Sequence, residues 1–200
     1  DYSYTGLCQY SGNWFYVNKG IVDFGYTGLC RYGNAWYYIA NGKLNWYATG
    51  LCKYNGSWFY VNNGKVDFGY TGLAKNAGHW FYIKNGVLDW NYTGLCKYNG
   101  SWFYVNKGIL NWNYTGLCRY GNAWYYIANG KLNWYASGLC KYNGSWFYVN
   151  NGKVDFSYTG LARNAGNWFY IRNGVLNWNY SGSCPYNGHY YNVRNGIVVF

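Results

Sequence analysis

The sequence has no glutamate, no methionine and a single proline, Pro185, and its acidic residues are five aspartates. Its two histidines are His79 and His189. General acid–base hydrolysis needs a matched pair of carboxylates or a tuned histidine, and no two aspartates are neighbours in this sequence. Nucleophile–base arrangements and glycine-rich phosphate loops are also missing. We therefore expect no catalytic residues and no enzyme activity.

Three further absences bear on membrane insertion, on metal binding and on the location of the protein. The chain has no apolar run of about 18 residues, so we expect no membrane insertion. It has no Cys-x-x-Cys motif and no histidine pair at ligand spacing, so we expect no metal site and no cofactor. Because residue 1 is not a starting methionine, we expect a processed fragment of a longer surface protein, extracellular and either secreted or on the cell surface.

The residues that are abundant are typical of strands and turns. Aromatic residues make up 26% of the chain, with 29 Tyr and 13 Trp, and there are 29 Gly. Aromatic side chains favour pleated, half-buried surfaces, whereas Gly and Asn favour tight turns. Good helix formers are scarce, so the composition predicts an all-β protein.

One glycine recurs every 22 residues without insertion or deletion, which indicates a single structural unit copied nine times. These glycines are Gly6, Gly28, Gly50, Gly72, Gly94, Gly116, Gly138, Gly160 and Gly182. We expect one repeat domain over residues 1–200. The last copy, residues 180–200, has Tyr190 where the others have Trp, and this departure is typical of a terminal cap.

The third copy shows the predicted unit. Asn55-Gly56 and Asn63-Gly64 lie between short β-prone runs, and Asn-Gly is the strongest short-range signal for a β-hairpin. Residues 51–54 and 57–61 are therefore predicted to form a hairpin, with residues 65–68 as a shorter third strand. A lone hairpin is marginal in water, so consecutive copies must stack. The sequence predicts a β-solenoid of nine 22-residue β-hairpin repeats.

A longer period lies over the short one. Residues 26–90 nearly repeat at residues 114–178, with six differences. We interpret this as the duplication of four repeats together, and a structural turn made of four repeats is the alternative.

The order of motifs in each copy resembles a known family. Thr-Gly, a short strand, a glycine turn, then Trp-Phe-Tyr or Trp-Tyr-Tyr and a second turn is similar to the cell-wall-binding repeats of Gram-positive surface proteins, namely choline-binding and glucan-binding repeats. The resemblance covers all nine copies. It implies a β-solenoid, with three repeats per superhelical turn and ligand sites between successive hairpins.

The resemblance also implies candidate binding residues. In choline-binding repeats an aromatic cage holds the quaternary ammonium by cation–π attraction, and one cage Trp follows Thr-Gly. Here that position is Leu in eight copies and Ser183 in the ninth. This departure argues against choline as the ligand.

The second family Trp is retained in eight copies and is followed two residues later by Tyr. Residues i and i+2 of a strand share a face, so each pair offers a flat platform for a sugar ring. Packing of one copy on the next is the alternative role for these rings. The predicted ligand-binding residues are Trp14, Tyr16, Trp36, Tyr38, Trp58, Tyr60, Trp80, Tyr82, Trp102, Tyr104, Trp124, Tyr126, Trp146, Tyr148, Trp168 and Tyr170.

A second aromatic register alternates between Phe and Trp, which favours a packing role, with an exposed edge as the alternative. Its members are Phe24, Trp46, Phe68, Trp90, Trp112, Trp134, Phe156, Trp178 and Phe200.

The seven cysteines also share one register, in which Ala74 and Ala162 fill the other two places. This pattern and the odd number predict free thiols that line the core as small apolar side chains. The cysteines are Cys8, Cys30, Cys52, Cys96, Cys118, Cys140 and Cys184.

The formal net charge is +11, from 16 Lys and Arg against five acids. The basic residues recur singly near the turns and no nucleic-acid motif is present, so we expect no nucleic-acid partner.

We interpret the chain as a non-catalytic extracellular module that binds a glycan or cell-wall polymer through repeated Trp/Tyr platforms, with basic turns assisting where the polymer is anionic. The alternative is a structural stalk or fibre segment whose aromatic rings only pack repeat on repeat. The sequence leaves the oligomeric state open.

Overall fold

The computed structural model describes residues 2–200, which form 27 β-strands and no helix. Within these residues there is accordingly no helix long and apolar enough to cross a membrane. Neighbouring strands pair antiparallel, as in the register Leu29 opposite Tyr38 and Cys30 opposite Tyr37. The prediction of an all-β fold built from hairpins is confirmed.

Each repeat contains a first strand, a second strand and a short third strand. The first strands are Gly6–Tyr10, Gly28–Tyr32, Gly50–Tyr54, Gly72–Asn76, Gly94–Tyr98, Gly116–Tyr120, Gly138–Tyr142, Gly160–Asn164 and Gly182–Tyr186. The second strands are Asn13–Asn18, Ala35–Ala40, Ser57–Asn62, His79–Lys84, Ser101–Asn106, Ala123–Ala128, Ser145–Asn150, Asn167–Arg172 and His189–Arg194. The third strands are Ile21–Val22, Lys43–Leu44, Lys65–Val66, Val87–Leu88, Ile109–Leu110, Lys131–Leu132, Lys153–Val154, Val175–Leu176 and Ile197–Val199.

The chain divides into two compact units. The first contains the residues up to Thr93 together with Val105–Leu110, and the second contains Gly94–Tyr104 and Asn111–Phe200. Each unit is a stack of β-hairpins.

The turns have the backbone that their sequence predicts. In the third repeat, Asn55 and Gly56 have φ angles of 45° and 81°, and Asn63 and Gly64 have φ angles of 48° and 73°. Positive φ at both central residues matches the right-handed twist of the flanking strands, which is why Asn-Gly is favoured here. The hairpin strands are each one residue longer than predicted, because Gly50 pairs with Val61 and Asn62 pairs with Lys65.

The third strand is shorter than predicted. The sequence suggested residues 65–68, but the strand ends at Val66. The cause is Asp67, whose side-chain oxygen accepts a hydrogen bond from the backbone N–H of Gly69 at 2.9 Å. Asp and Asn commonly form such turns with their own backbone. The Asp/Asn register of the repeat therefore ends the strand and directs the chain into the next hairpin.

The threonine before the first strand also has a local structural role. The hydroxyl of Thr27 accepts a hydrogen bond from the backbone N–H of Asn41 at 3.1 Å, which ties the start of the repeat to its second turn. Thr49 makes the same contact with Asn63 at 3.2 Å. Ser137 and Ser181 accept the equivalent hydrogen bond, so the Thr or Ser before the recurrent glycine closes the repeat on itself.

Consecutive hairpins are joined by backbone hydrogen bonds and by apolar packing. The backbone N–H of Tyr16 donates to the carbonyl of Gly42 in the next repeat at 2.8 Å. Leu7 is buried together with Cys30 and Ile39, also of the next repeat, and Trp14 packs against this cluster. One hairpin face therefore covers the opposite face of its successor. This arrangement confirms the solenoid of hairpin repeats, and the number of repeats per superhelical turn stays a prediction.

All seven cysteines are free thiols, as predicted. Their predicted burial holds only for Cys30, Cys96, Cys118 and Cys184. Cys8 is exposed, and Cys52 and Cys140 are half-buried. The expectation of uniformly buried thiols was therefore wrong at three of the seven positions.

Two glycines of the third repeat should respond differently to substitution. A Cβ at Gly64 would lie 2.5 Å from the carbonyl oxygen of Asn45, whereas a Cβ at Gly56 would have no atom within 4 Å. Gly56→Ala should cost only the strain of positive φ, about 1–2 kcal/mol. Gly64→Ala should cost about 1–3 kcal/mol more through overpacking. Urea denaturation followed by circular dichroism measures both, and equal midpoints for the two variants would contradict the predicted close approach.

Candidate binding site at the hairpin tips

The predicted Trp and Tyr residues share one face of each hairpin and are half-buried in all eight repeats. In the first repeat, Trp14 and Tyr16 lie over the same cluster as Leu7. The cause is the strand register, in which Tyr16 is opposite Leu7 and Trp14 is opposite Gln9. The face with these rings is thus the face that meets the next hairpin.

The two rings of each pair have different neighbours. The ring centroid of Trp14 lies 4.8 Å from that of Tyr32, with an angle of 62° between the rings. Tyr16 instead stacks nearly parallel on Tyr26 at 3.8 Å. Trp14 therefore meets a Tyr at the tip of the next hairpin, whereas Tyr16 is stacked on a Tyr near the start of that repeat.

We call each contact between a Trp and the tip Tyr of the next hairpin an aromatic corner. The ring centroids in these corners are 4.7–5.0 Å apart and the rings meet at 58–62°. The corners join Trp14 with Tyr32, Trp36 with Tyr54, Trp102 with Tyr120, Trp124 with Tyr142, and Trp168 with Tyr186.

The corner of Trp36 and Tyr54 borders a cleft of about 220 Å³. The cleft is also lined by Leu29, Asn55, Ser57 and Phe59. Its lining is mainly apolar and aromatic with a few polar groups, as is common for small-ligand sites. Leu29, which follows Thr-Gly, occupies the position at which the family resemblance places a cage Trp.

Sequence reasoning did not identify the tip tyrosines as site residues. A signal was present, because Tyr recurs immediately before the first turn at the position of Tyr32 and Tyr54. Two repeats have Asn76 and Asn164 at this position, so Trp58 and Trp146 lack the second ring of a corner.

A basic residue lies directly opposite most of the Trp residues in the hairpin. Residues opposite one another in an antiparallel pair have side chains on the same face. The basic side chains are exposed, so their charges lie in water beside the Trp rings. The pairs are Arg31 with Trp36, Lys53 with Trp58, Lys75 with Trp80, Arg119 with Trp124, Lys141 with Trp146, and Arg163 with Trp168.

The stacked tyrosines make a second set of contacts between repeats. The six stacked pairs are Tyr16 with Tyr26, Tyr60 with Tyr70, Tyr82 with Tyr92, Tyr104 with Tyr114, Tyr148 with Tyr158, and Tyr170 with Tyr180. The hydroxyl of Tyr26 also donates to the carbonyl of Leu29 at 2.6 Å. Burial, followed by the nearby Tyr16, raises the pKa of Tyr26 to about 12.

The second aromatic register is more exposed than a packing role requires. Trp46 is 49% exposed and touches the edge of Tyr37, with ring centroids 5.8 Å apart. Trp90 is 48% exposed and makes the same contact with Phe81. Both rings pack on a neighbouring ring and leave about half of their surface in solvent, so the packing role and the exposed edge each hold in part. One face of each of these rings is supported by the fold, and the rest is open to solvent.

The stacked tyrosines predict a loss of stability at alkaline pH. The pKa of Tyr26 and of Tyr158 is raised from 10.0 to about 12 by burial. Between these two pH values the unfolded chain loses protons that the folded chain keeps, so stability is full below about pH 10 and falls as the pH rises towards about 12. Tyr26→Phe should be less stable at neutral pH, because one hydrogen bond is lost, but should lose less stability in this window.

Urea midpoints measured from pH 8 to pH 12 test this expectation. An identical dependence on pH in Tyr26→Phe and the unaltered protein would rule out the assigned role of the buried phenol.

Several solved structures are similar to this chain. The structure of CbpJ from Streptococcus pneumoniae is 25% identical, with 93% of this chain and 62% of that chain covered and a TM-score of 0.36. Choline binding protein F from the same organism, crystallised with a peptidoglycan analogue, is 28% identical, with 98% and 58% covered and a TM-score of 0.34. An alternansucrase in complex with isomaltotriose is 25% identical, with 68% and 12% covered and a TM-score of 0.34. This chain thus spans about three fifths of the two pneumococcal chains.

No curated protein sequence gives a significant match to the chain. The sequence profile of the choline-binding repeat, in contrast, matches eight consecutive segments, each 20 or 21 residues long. They are residues 3–23, 25–45, 47–67, 69–89, 91–111, 113–133, 136–155 and 157–177. These segments account for most of the sequence and follow the hairpin repeats, and the chain therefore belongs to the choline-binding repeat family.

Proposed function

We propose that this chain is a non-catalytic cell-surface module that binds an anionic cell-wall polysaccharide through its aromatic corners. The observation that carries the proposal is the combination found at the corner of Trp36 and Tyr54. There a half-buried Trp and a second ring at an angle of 58° line a cleft of about 220 Å³, and the exposed Arg31 is opposite Trp36 in the hairpin.

The chemistry of the corner suits a sugar ring. Flat aromatic faces pack against the apolar side of a pyranose, and the Tyr hydroxyl offers a hydrogen bond. A cage for a quaternary ammonium benefits from several ring faces, and Leu29 stands where the family resemblance places one of them. We therefore assign the corner to a sugar ring of the polymer in preference to a choline headgroup.

The exposed basic residues favour a polymer of negative charge. Arg31 and Arg119 are exposed directly opposite the corner residues Trp36 and Trp124. Across the chain, 16 basic residues face five acidic ones. A repeated cation at the spacing of the hairpins would attract a polymer with regularly spaced phosphate or carboxylate groups, and a wall teichoic acid has this character.

The predicted ligand-binding pairs have separate roles in this proposal. The Trp residues contact the sugar, and the tip tyrosines form the second wall. In six repeats the Tyr two residues after the Trp is stacked between the repeats, as Tyr16 is on Tyr26 at 3.8 Å, and we assign these tyrosines to support of the site. Several weak corners on one chain raise the overall avidity by about 10²–10⁴ without any new kind of contact.

The proposal is tested by removing the tip ring from two corners. Tyr54→Asn and Tyr142→Asn copy the residues found naturally at Asn76 and Asn164, so both variants should fold. Each lost ring contact should weaken the binding of one corner about 2- to 10-fold. Tryptophan fluorescence titrated with purified wall teichoic acid measures this loss. The reverse substitution, Asn76→Tyr, should strengthen binding because it gives Trp58 a second ring.

Added salt tests the contribution of charge to binding, and free choline tests whether a choline headgroup occupies the site. Affinity should fall as salt rises from 50 to 500 mM, because exposed charges are screened. Free choline should not displace the polymer. Unchanged binding in the double variant Tyr54→Asn/Tyr142→Asn would contradict the proposal, and a lack of binding to all wall polymers by the folded protein would favour a structural stalk instead.

A further inference from the structure

Two alanines interrupt the register of stacked tyrosines. Seven repeats begin with Tyr at the position two residues before the recurrent glycine, and the third and seventh repeats have Ala48 and Ala136 there. These alanines are 88 residues apart and lie in different units of the chain. The two alanines are at equivalent positions of the two units, as expected if four repeats were duplicated together.

A cleft lies at each alanine. The cleft at Ala48 has a volume of about 160 Å³, and its walls include Tyr38, Leu51 and Cys52. The cleft at Ala136 has a volume of about 140 Å³, and the equivalent Tyr126 and Cys140 line it. Each cleft lies entirely within its own unit, and neither is lined by the Trp of an aromatic corner.

The space in these clefts is filled by a tyrosine ring in the other repeats. Tyr26 stacks on Tyr16 at 3.8 Å and its hydroxyl donates to the carbonyl of Leu29 at 2.6 Å. That hydroxyl also lies 3.2 Å from the position of a Cβ on Gly28. At Gly50, by contrast, a Cβ would have no atom within 4 Å.

The surroundings of the clefts lack the contacts that this ring makes elsewhere. Among residues 2–200, Tyr38 and Tyr126 have no stacked ring partner. The equivalent Tyr of six other repeats, two residues after the Trp, is stacked on another Tyr. Leu51 is half-buried, whereas Leu29 is 2% exposed. The carbonyl of Leu51 also lacks the hydroxyl donor that the carbonyl of Leu29 has.

We propose that each cleft is a binding site for the ring of a para-substituted phenol. The ring stacks on Tyr38 or Tyr126, and the phenol hydroxyl donates to the carbonyl of Leu51 or Leu139. The ligand thereby restores the contacts that a tyrosine makes in the other repeats. The volumes are adequate, since an apolar cavity of about 150 Å³ is enough for benzene.

A para-substituted phenol could come from two sources. One is a free small phenol, and the other is an exposed tyrosine side chain on a polypeptide, including a second copy of this chain. Tyr47 and Tyr135 are 93% and 94% exposed, so this chain itself presents suitable side chains. The test below distinguishes these sources.

The half-buried thiols provide a readout that does not depend on polymer binding. Cys52 and Cys140 line the clefts, whereas Cys30 and Cys118 are buried. N-ethylmaleimide should modify Cys52 and Cys140, and p-cresol should protect them. With p-cresol at about ten times its Kd, the rate at these two thiols should fall about tenfold. The rate at Cys8, which is exposed and lines neither cleft, serves as the internal control and should not change. Modification is followed residue by residue with mass spectrometry.

Matched variants test whether the missing ring defines the site. Ala48→Tyr and Ala136→Tyr restore the residue found in the other seven repeats, so both should fold, shield the thiols and abolish the effect of p-cresol. In the opposite direction, Tyr26→Ala should open a third cleft, expose Cys30 and make that thiol sensitive to p-cresol. Thermal unfolding reports whether each variant remains folded.

Each outcome bears on the proposal. Protection of Cys52 and Cys140 that disappears in Ala48→Tyr/Ala136→Tyr supports it. No protection in the unaltered protein, or protection that persists in the double variant, overturns it. If p-cresol protects but N-acetyl-tyrosinamide does not, the ligand is a free phenol. If both protect, and Tyr47→Ser/Tyr135→Ser abolishes self-association measured by sedimentation, the occupant is a tyrosine of a second copy.

Discussion

The whole repeat depends on one contact, the burial of the leucine after Thr-Gly against the cysteine-bearing face of the next hairpin. Leu7 is 2% exposed and lies with Cys30 and Ile39 of its successor. An isolated hairpin is marginal in water because it leaves both faces exposed. Stacking removes both faces from water at once, so each repeat is stable only as part of a series.

The same stacking places the candidate site. Each aromatic corner takes its Trp from one hairpin and its Tyr from the next, as Trp36 and Tyr54 show. The five corners keep ring angles of 58–62°, both where the neighbouring Tyr is stacked, as at Tyr16, and where it has no stacked partner among residues 2–200, as at Tyr38. In the first repeat, the stacked Tyr16 and Tyr26 pack against the same buried cluster as Trp14. In the proposed function, the rings that contact the ligand and the rings stacked between the repeats are thus different residues.

Departures from the repeat are informative because the background is so regular. Ala48 and Ala136 remove a ring that the other repeats have, and the nearby Cys52 and Cys140 are more exposed as a result of the open space. Sequence reasoning assigned all seven cysteines to one buried class because it compared residue types within a register. It did not consider the residue four positions before each cysteine, which is Ala48 before Cys52, Ala136 before Cys140 and Tyr before the other five.

The sequence by itself determined the period, the turns and the strand pairing. These features depend on local chemistry: Asn55-Gly56 accepts positive φ, and alternation assigns side chains to faces. Only the tertiary structure decided which rings meet. The spacing of Trp36 and Tyr38 shows that they share a face, but the partner of Trp36 is Tyr54, which the next hairpin supplies. The exposure of Trp46 was undecided for the same reason, since burial depends on what the neighbouring repeat covers.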